Sequence, residues 1–76
     1  MNHKKFIKER DEALLSLDKE KITKFLRKCG TPVPENETVF WAGVHKAIIH
    51  LNSANPGQKL NSMIWLVNHG FHLEIN

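Results

Sequence analysis

The chain reads as all-α: a small four-helix domain over residues 1–76, with a C-terminal antiparallel helical hairpin and a short extended tail. Three observations predict this. Apolar residues recur at helical spacing in four stretches, and capping residues stand at the starts of those stretches. The one alternating segment, Phe71, Leu73 and Ile75 between His72, Glu74 and Asn76, has no second strand to pair with.

The strongest pattern lies in Glu37 to Ser53, ETVFWAGVHKAIIHLNS. At 3.6 residues per turn Phe40, Val44, Ala47 and Leu51 form one stripe, with Trp41 and Ile48 beside it. Asn36 or Thr38 can cap this central helix. Gly43 inside it costs about 1 kcal/mol relative to alanine, which predicts a neighbouring helix packed closely there.

Upstream, His3 to Leu15 places Phe6, Ala13, Leu14 and Leu17 along one side, Ile7 at its edge, and Lys5, Lys8 and Glu12 away from it. Arg10 is the misfit on the apolar side. Its stem can lie across the core edge with the guanidinium in water, or its fork can pair with a carboxylate from another helix. Asp18 is the expected N-cap of a second helix, with Leu17 stapled over Ile22. That helix runs from Lys19 to Cys29 with Ile22, Phe25, Leu26 and Cys29 inward, and Gly30 ends it. Thr31 to Asn36, TPVPEN, is a stiff connector because two prolines disfavour helix.

The last helix begins at Asn55 as N-cap, Pro56 at the first position and Gln58 in a capping box. Its inward stripe is read as Leu60, Met63, Ile64 and Val67, with Gly70 as the terminator. The short SANPG loop makes it antiparallel to the central helix, and the first two helices are expected to pack across this hairpin. A domain this small buries only roughly 60% of its unfolded surface, so a partner subunit would add stability.

The charge is uneven. Residues 1–30 hold nine of the eleven Lys and Arg against five acids, a net +4, and residues 31–76 hold two against three, a net −1. Such polarity suits nucleic acid or an acidic protein surface, and it is also the look of two solvated amphipathic helices. Cys29 is the sole cysteine, so no internal disulfide forms, which fits a reducing, cytoplasmic setting. Export and membrane insertion are not expected: no charged segment precedes an apolar core, and no run of about 18 apolar residues occurs.

The order KKFIKERDEALLSLDKEKI, FWAGVHKAI, then NPGQK leading to WLVNHGF resembles small uncharacterised phage- and prophage-encoded proteins of Gram-positive bacteria. The resemblance covers nearly the whole chain and consists of caps and core residues rather than a catalytic signature. It implies an intracellular accessory protein of a mobile element, acting on host machinery.

Chemistry is sparse in the pattern. His45 and His50 are five apart and point about 140° apart, whereas two metal ligands on one helix face need i, i+4 spacing. Gly70 separates His69 from His72. Glu37 and His45 lie about 12 Å apart along the helix, too far to act together directly. The four glycines stand singly, so no phosphate cradle forms. No catalytic residue, metal or cofactor is assigned, and an enzyme is not expected.

Two surfaces are candidates. Trp65 points away from the Leu60, Ile64 and Val67 stripe and is flanked by Gln58, Asn61, Asn68 and His69, a composition suited to contact with an unknown protein partner or a second copy in a homodimer. Leu66 and Ile49 also fall outside the main stripes. The alternative is a basic nucleic-acid-associated protein holding phosphate backbone non-specifically through Lys21, Lys24, Arg27 and Lys28, aided by Lys4, Lys5 and Lys8. A helix-turn-helix is not expected, because the proline connector is too long and the helix after it carries Lys46 as its sole cation.

Overall fold

The computed structural model describes residues 3–72. It contains four helices and, among the described residues, no strand: α1 (His3–Leu15), α2 (Lys19–Lys28), α3 (Glu37–Ile49) and α4 (Pro56–Asn68). They form two compact units, Met1–Val33 and Pro34–Asn76. The expected extended tail from Leu73 onward lies outside the described residues.

In the first unit, α1 and α2 pair as an antiparallel hairpin. The Phe6 and Phe25 rings meet with centroids 5.6 Å apart and planes tilted by 41°. Asp18 caps α2 as the sequence predicts, accepting from the N–H groups of Glu20 (2.9 Å) and Lys21 (3.3 Å). Leu17 differs from its reading as a staple. It is exposed and ends α1 at φ +53°, a left-handed conformation that strains a residue with a Cβ.

Gly30 takes φ +71° and closes α2 in a Schellman motif, its N–H donating to the Arg27 carbonyl (3.0 Å) while the Thr31 N–H donates to that of Leu26 (2.9 Å). Because the helix ends at Lys28, Cys29 is a cap residue and its side chain is exposed instead of extending the buried stripe. Arg10 turns its guanidinium to Asp11 on the same helix (3.0 Å), not to a carboxylate from another.

In the second unit, α3 and α4 pack closely as the predicted antiparallel hairpin. Asn36 is the cap of α3, accepting from the Val39 N–H. Phe40, Val44, Ile48 and Leu51 are buried, and so are Ala42 and His45; Ala47 is half-buried. The Asn55 capping box forms completely, with the Gln58 N–H donating to Asn55 Oδ1 (2.8 Å) and the Asn55 N–H to Gln58 Oε1 (2.9 Å). Gly70, at φ +81°, ends α4 in a second Schellman motif whose outer bond runs from the Phe71 N–H to the Leu66 carbonyl (2.9 Å).

The structure corrects the sequence reading at two places on this hairpin. Gly43 is exposed, and a Cβ built there meets nothing within 4 Å, so no neighbour requires the glycine. Gly43→Ala is therefore expected to raise stability by about 0.5–1 kcal/mol, since alanine loses less backbone entropy in a helix. Urea unfolding followed by tryptophan fluorescence measures this, and destabilisation would show an unrecognised contact at position 43.

The second correction concerns the face that α4 turns inward. Leu60, Ile64 and Val67 are exposed at 56%, 49% and 56%, whereas Ser62 and Leu66 are buried at 2% and 1%. Helix α4 has two apolar stripes. Counting hydrophobic side chains selects the larger one, but a buried polar pair and a ring stack, which hydropathy does not register, hold the smaller one against α3.

Candidate functional site

The inner face of α4 is fixed by His45. This imidazole points from α3 into the hairpin, is 8% exposed, and its Nδ1 lies 2.9 Å from Ser62 Oγ. A buried ring nitrogen without a partner would carry a desolvation cost, so the serine is required where a hydrophobic residue would otherwise stand. Burial holds the His45 imidazole below its ordinary value, and repulsion from His69 adds to the effect.

Rings continue from this pair in both directions. Trp65 stacks on His45, with centroids 4.7 Å apart and planes 26° apart, and on His69 at 3.9 Å and 15°. Phe71 lies nearly parallel to Trp65 at 6.2 Å, and Lys46 Nζ sits 5.6 Å over the Phe71 ring. On α3, Trp41 stands 6.2 Å from His45 and edge-on to Phe40 at 5.1 Å, while its Nε1–H donates to Glu37 Oε2 (3.2 Å). Glu37, Trp41 and His45 thus do share one line of α3, with the indole between the two titratable groups.

The His69 ring is positioned by its own helix. Its Nδ1 is 2.8 Å from the Trp65 carbonyl oxygen, which can only accept, so Nδ1 carries the proton. Among the candidate contact residues, Trp65 and His69 are therefore joined, and Trp65 is half-buried and already in ring contact. Gln58 is half-buried in the capping box. Asn61 and Asn68 are exposed. They border the stripe of Leu60, Ile64 and Val67, which at i, i+4 and i+7 stands opposite Ser62 and Leu66 on the helix wheel.

The Ser62 and His45 pair has the elements of a nucleophile and a base, yet its oxygen is sealed from solvent. The bond joins α3 to α4. Among the described residues, no three His, Cys, Asp or Glu side chains converge as metal ligands, and no helix is long and apolar enough to cross a membrane.

The candidate cations Lys21, Lys24, Arg27 and Lys28 are all exposed on α2. Lys28 Nζ donates to Glu9 Oε2 of α1 at 2.8 Å. That hydrogen bond, and then the opposite charge of the partner, hold the Glu9 carboxyl below and the Lys28 ammonium above their ordinary values. Beside this pair the hairpin opens into a groove of about 800 Å³ lined by Lys5, Phe6, Glu9, Phe25, Lys28, Cys29 and Thr31. The periodic pattern of each helix gave no sign of the groove, because it arises from pairing the N-terminal half of α1 with the C-terminal half of α2. Comparison with protein-family models, with curated proteins and with solved structures returned no match.

Proposed function

We propose that the chain is a non-enzymatic protein-interaction module whose contact surface is the outward face of α4. The observation that carries this reading is the exposure of Leu60, Ile64 and Val67 along one stripe of a capped helix whose other face is already satisfied. Asn61 and Asn68 supply an uncharged polar border, and the Trp65 and His69 stack stiffens the flank. In the setting that the resemblance to prophage-encoded proteins implies, the chain is an accessory protein working in the cytoplasm on a host protein.

The occupant proposed is an apolar groove of a partner protein. Helix α4 has 13 residues and is about 20 Å long at 1.5 Å per residue. A flat pairing with a second copy through three side chains would bury well under the ~800 Å² per partner of a standard interface. A groove that wraps the helix buries more of each anchor, as in the helix-in-groove mode with i, i+4 and i+7 contacts.

Ile64→Asp tests this, because a charge at the middle of the stripe leaves the inner face untouched. Partners captured from a lysate of the source cell are identified, purified and titrated against both proteins. The native chain is expected to bind one of them at least tenfold more tightly than the variant. Retention of every partner by folded Ile64→Asp would refute the surface, and a native dimer dispersed by Ile64→Asp would replace the groove with a second copy.

A further inference from the structure

The pairing of α1 with α2 sorts the charges of the first unit. Residues 3–9 and 24–28, brought to one end by the Phe6 and Phe25 contact and the Glu9 and Lys28 bond, carry Lys4, Lys5, Lys8, Lys24, Arg27 and Lys28 against Glu9, a net +5. The remaining charges of α1, α2 and their turn are Arg10, Lys19 and Lys21 against Asp11, Glu12, Asp18 and Glu20, a net −1. Six of the nine cations in this unit therefore share one end.

Helix energetics explain half of that arrangement. Arg27 and Lys28 in the last turn of α2 suit the negative end of its dipole. Lys4 and Lys5 in the first turn of α1, where there is no acid, stand at the positive end and act against helix stability. Lys5 is offset in part by the charge of Glu9 one turn on, and an anion bound at this end would offset the dipole cost further.

The groove between them has an apolar floor. Phe6 and Phe25 are half-buried, so each ring keeps an accessible part, and exposed Lys5 and Lys28 stand on its margin. Lys5 and Lys28 line this groove, while Lys24 and Arg27 line a second one on α2 with Lys19, Glu20 and Thr23; cations beside flat apolar rings match a ligand that repeats one anion and one flat ring per unit. A duplex would leave the phenyl floor unused because its bases are stacked inside, and an acidic peptide supplies carboxylates without an obligatory ring.

We propose that this lysine-rich end of the α1–α2 hairpin binds single-stranded nucleic acid, with the backbone phosphates on the cationic margin and a base against the Phe6 and Phe25 rings. The inference stands apart from the α4 surface. Glu9 is the one acid in the site, where it holds Lys28 in place and repels phosphate.

The test is fluorescence anisotropy of labelled dT15 and U15 strands with the full chain, against a 15-base-pair duplex and polyglutamate as competitor. If about four phosphates are contacted, raising salt from 50 to 200 mM weakens binding by roughly 50-fold, because the single-strand slope is near −0.7 per phosphate. Phe25→Leu, which keeps apolar volume and removes the stacking face, is expected to cost about tenfold or more. Lys5→Ala with Lys8→Ala weakens binding and lowers the salt slope, Glu9→Gln tightens it about threefold, and Ile64→Asp leaves it unchanged.

Circular dichroism confirms that each variant is folded. No binding of either strand at 50 mM salt, duplex bound as tightly as single strand, or unchanged affinity in folded Phe25→Leu would overturn the proposal. Should Phe25→Leu fail to fold, an unchanged affinity in the double lysine variant would overturn it equally. Polyglutamate displacing the strands at equal charge concentration would assign the site to an acidic protein instead.

Discussion

Leu66→Ala is expected to destabilise the α3–α4 hairpin by about 3 kcal/mol, the middle of the range for removing a buried leucine and leaving a cavity. Leu66 is 1% exposed, and its carbonyl accepts the N–H of Phe71 that closes the end of α4. In a chain of 76 residues, a loss of that size is a large part of the total stability. Ile64→Ala, two residues away on the outward stripe, is expected to cost less than about 1 kcal/mol. The contrast is informative because the two side chains are nearly equal in size and hydrophobicity. Trp41 and Trp65 are the two tryptophans of the chain and both belong to this unit, so fluorescence-monitored urea unfolding reports on the hairpin directly.

The second large effect is expected from the buried polar pair. Ser62→Ala removes the partner of His45 Nδ1 and leaves that nitrogen dry, at a cost of about 1–3 kcal/mol. A pH dependence accompanies it. Burial, with the charge of His69 second, lowers the folded-state pKa of His45 below its ordinary value of 6.5. Above that value both folded and unfolded chains hold a neutral ring, and the pair contributes fully. As pH falls through it, the unfolded chain takes up a proton that the folded chain resists, so stability declines toward acid until the folded pKa is passed. His45→Gln, which keeps a hydrogen-bonding side chain and removes the titration, should flatten the slope of stability between pH 7 and pH 5. An unchanged slope in that variant would assign the acid sensitivity to other groups.

The helix ends were legible in the sequence because they are local. Asp18, Asn55 with Gln58, Gly30 and Gly70 each act within a few residues of themselves, and the chemistry that selects them is present in the sequence window. The stripe of α3 was legible for a related reason: Phe40, Val44 and Leu51 recur along one face and are buried, with Ile48 beside them, although Ala47 of the same stripe is only half-buried.

Helix α4 was misread because it has two faces. Periodicity shows that Leu60, Ile64 and Val67 lie together, and it is silent on whether their cover comes from the same chain or from a partner. The choice depends on His45 finding Ser62 across the hairpin, a contact between residues 17 apart that neither helix announces alone. The stack of Trp65 on His45 depends on the same contact across the hairpin, so the sequence window of α4 alone does not show it. Gly43 misled in the other direction, since a glycine that weakens a helix suggests a close neighbour and here has none. The groove between Phe6 and Phe25 likewise required the antiparallel pairing of α1 and α2 before its charges could be seen as one cluster.

The orientation of α4 is the premise of the interaction reading, and a nuclear Overhauser spectrum of the labelled chain tests it most directly. Cross-peaks from the His45 ring to the Ser62 β-protons and the Trp65 indole are expected, with none from the Ile64 or Val67 methyls to Val44 or Ile48. Strong cross-peaks from those methyls to Val44 or Ile48, with Ser62 silent, would place the long stripe inside and contradict the account.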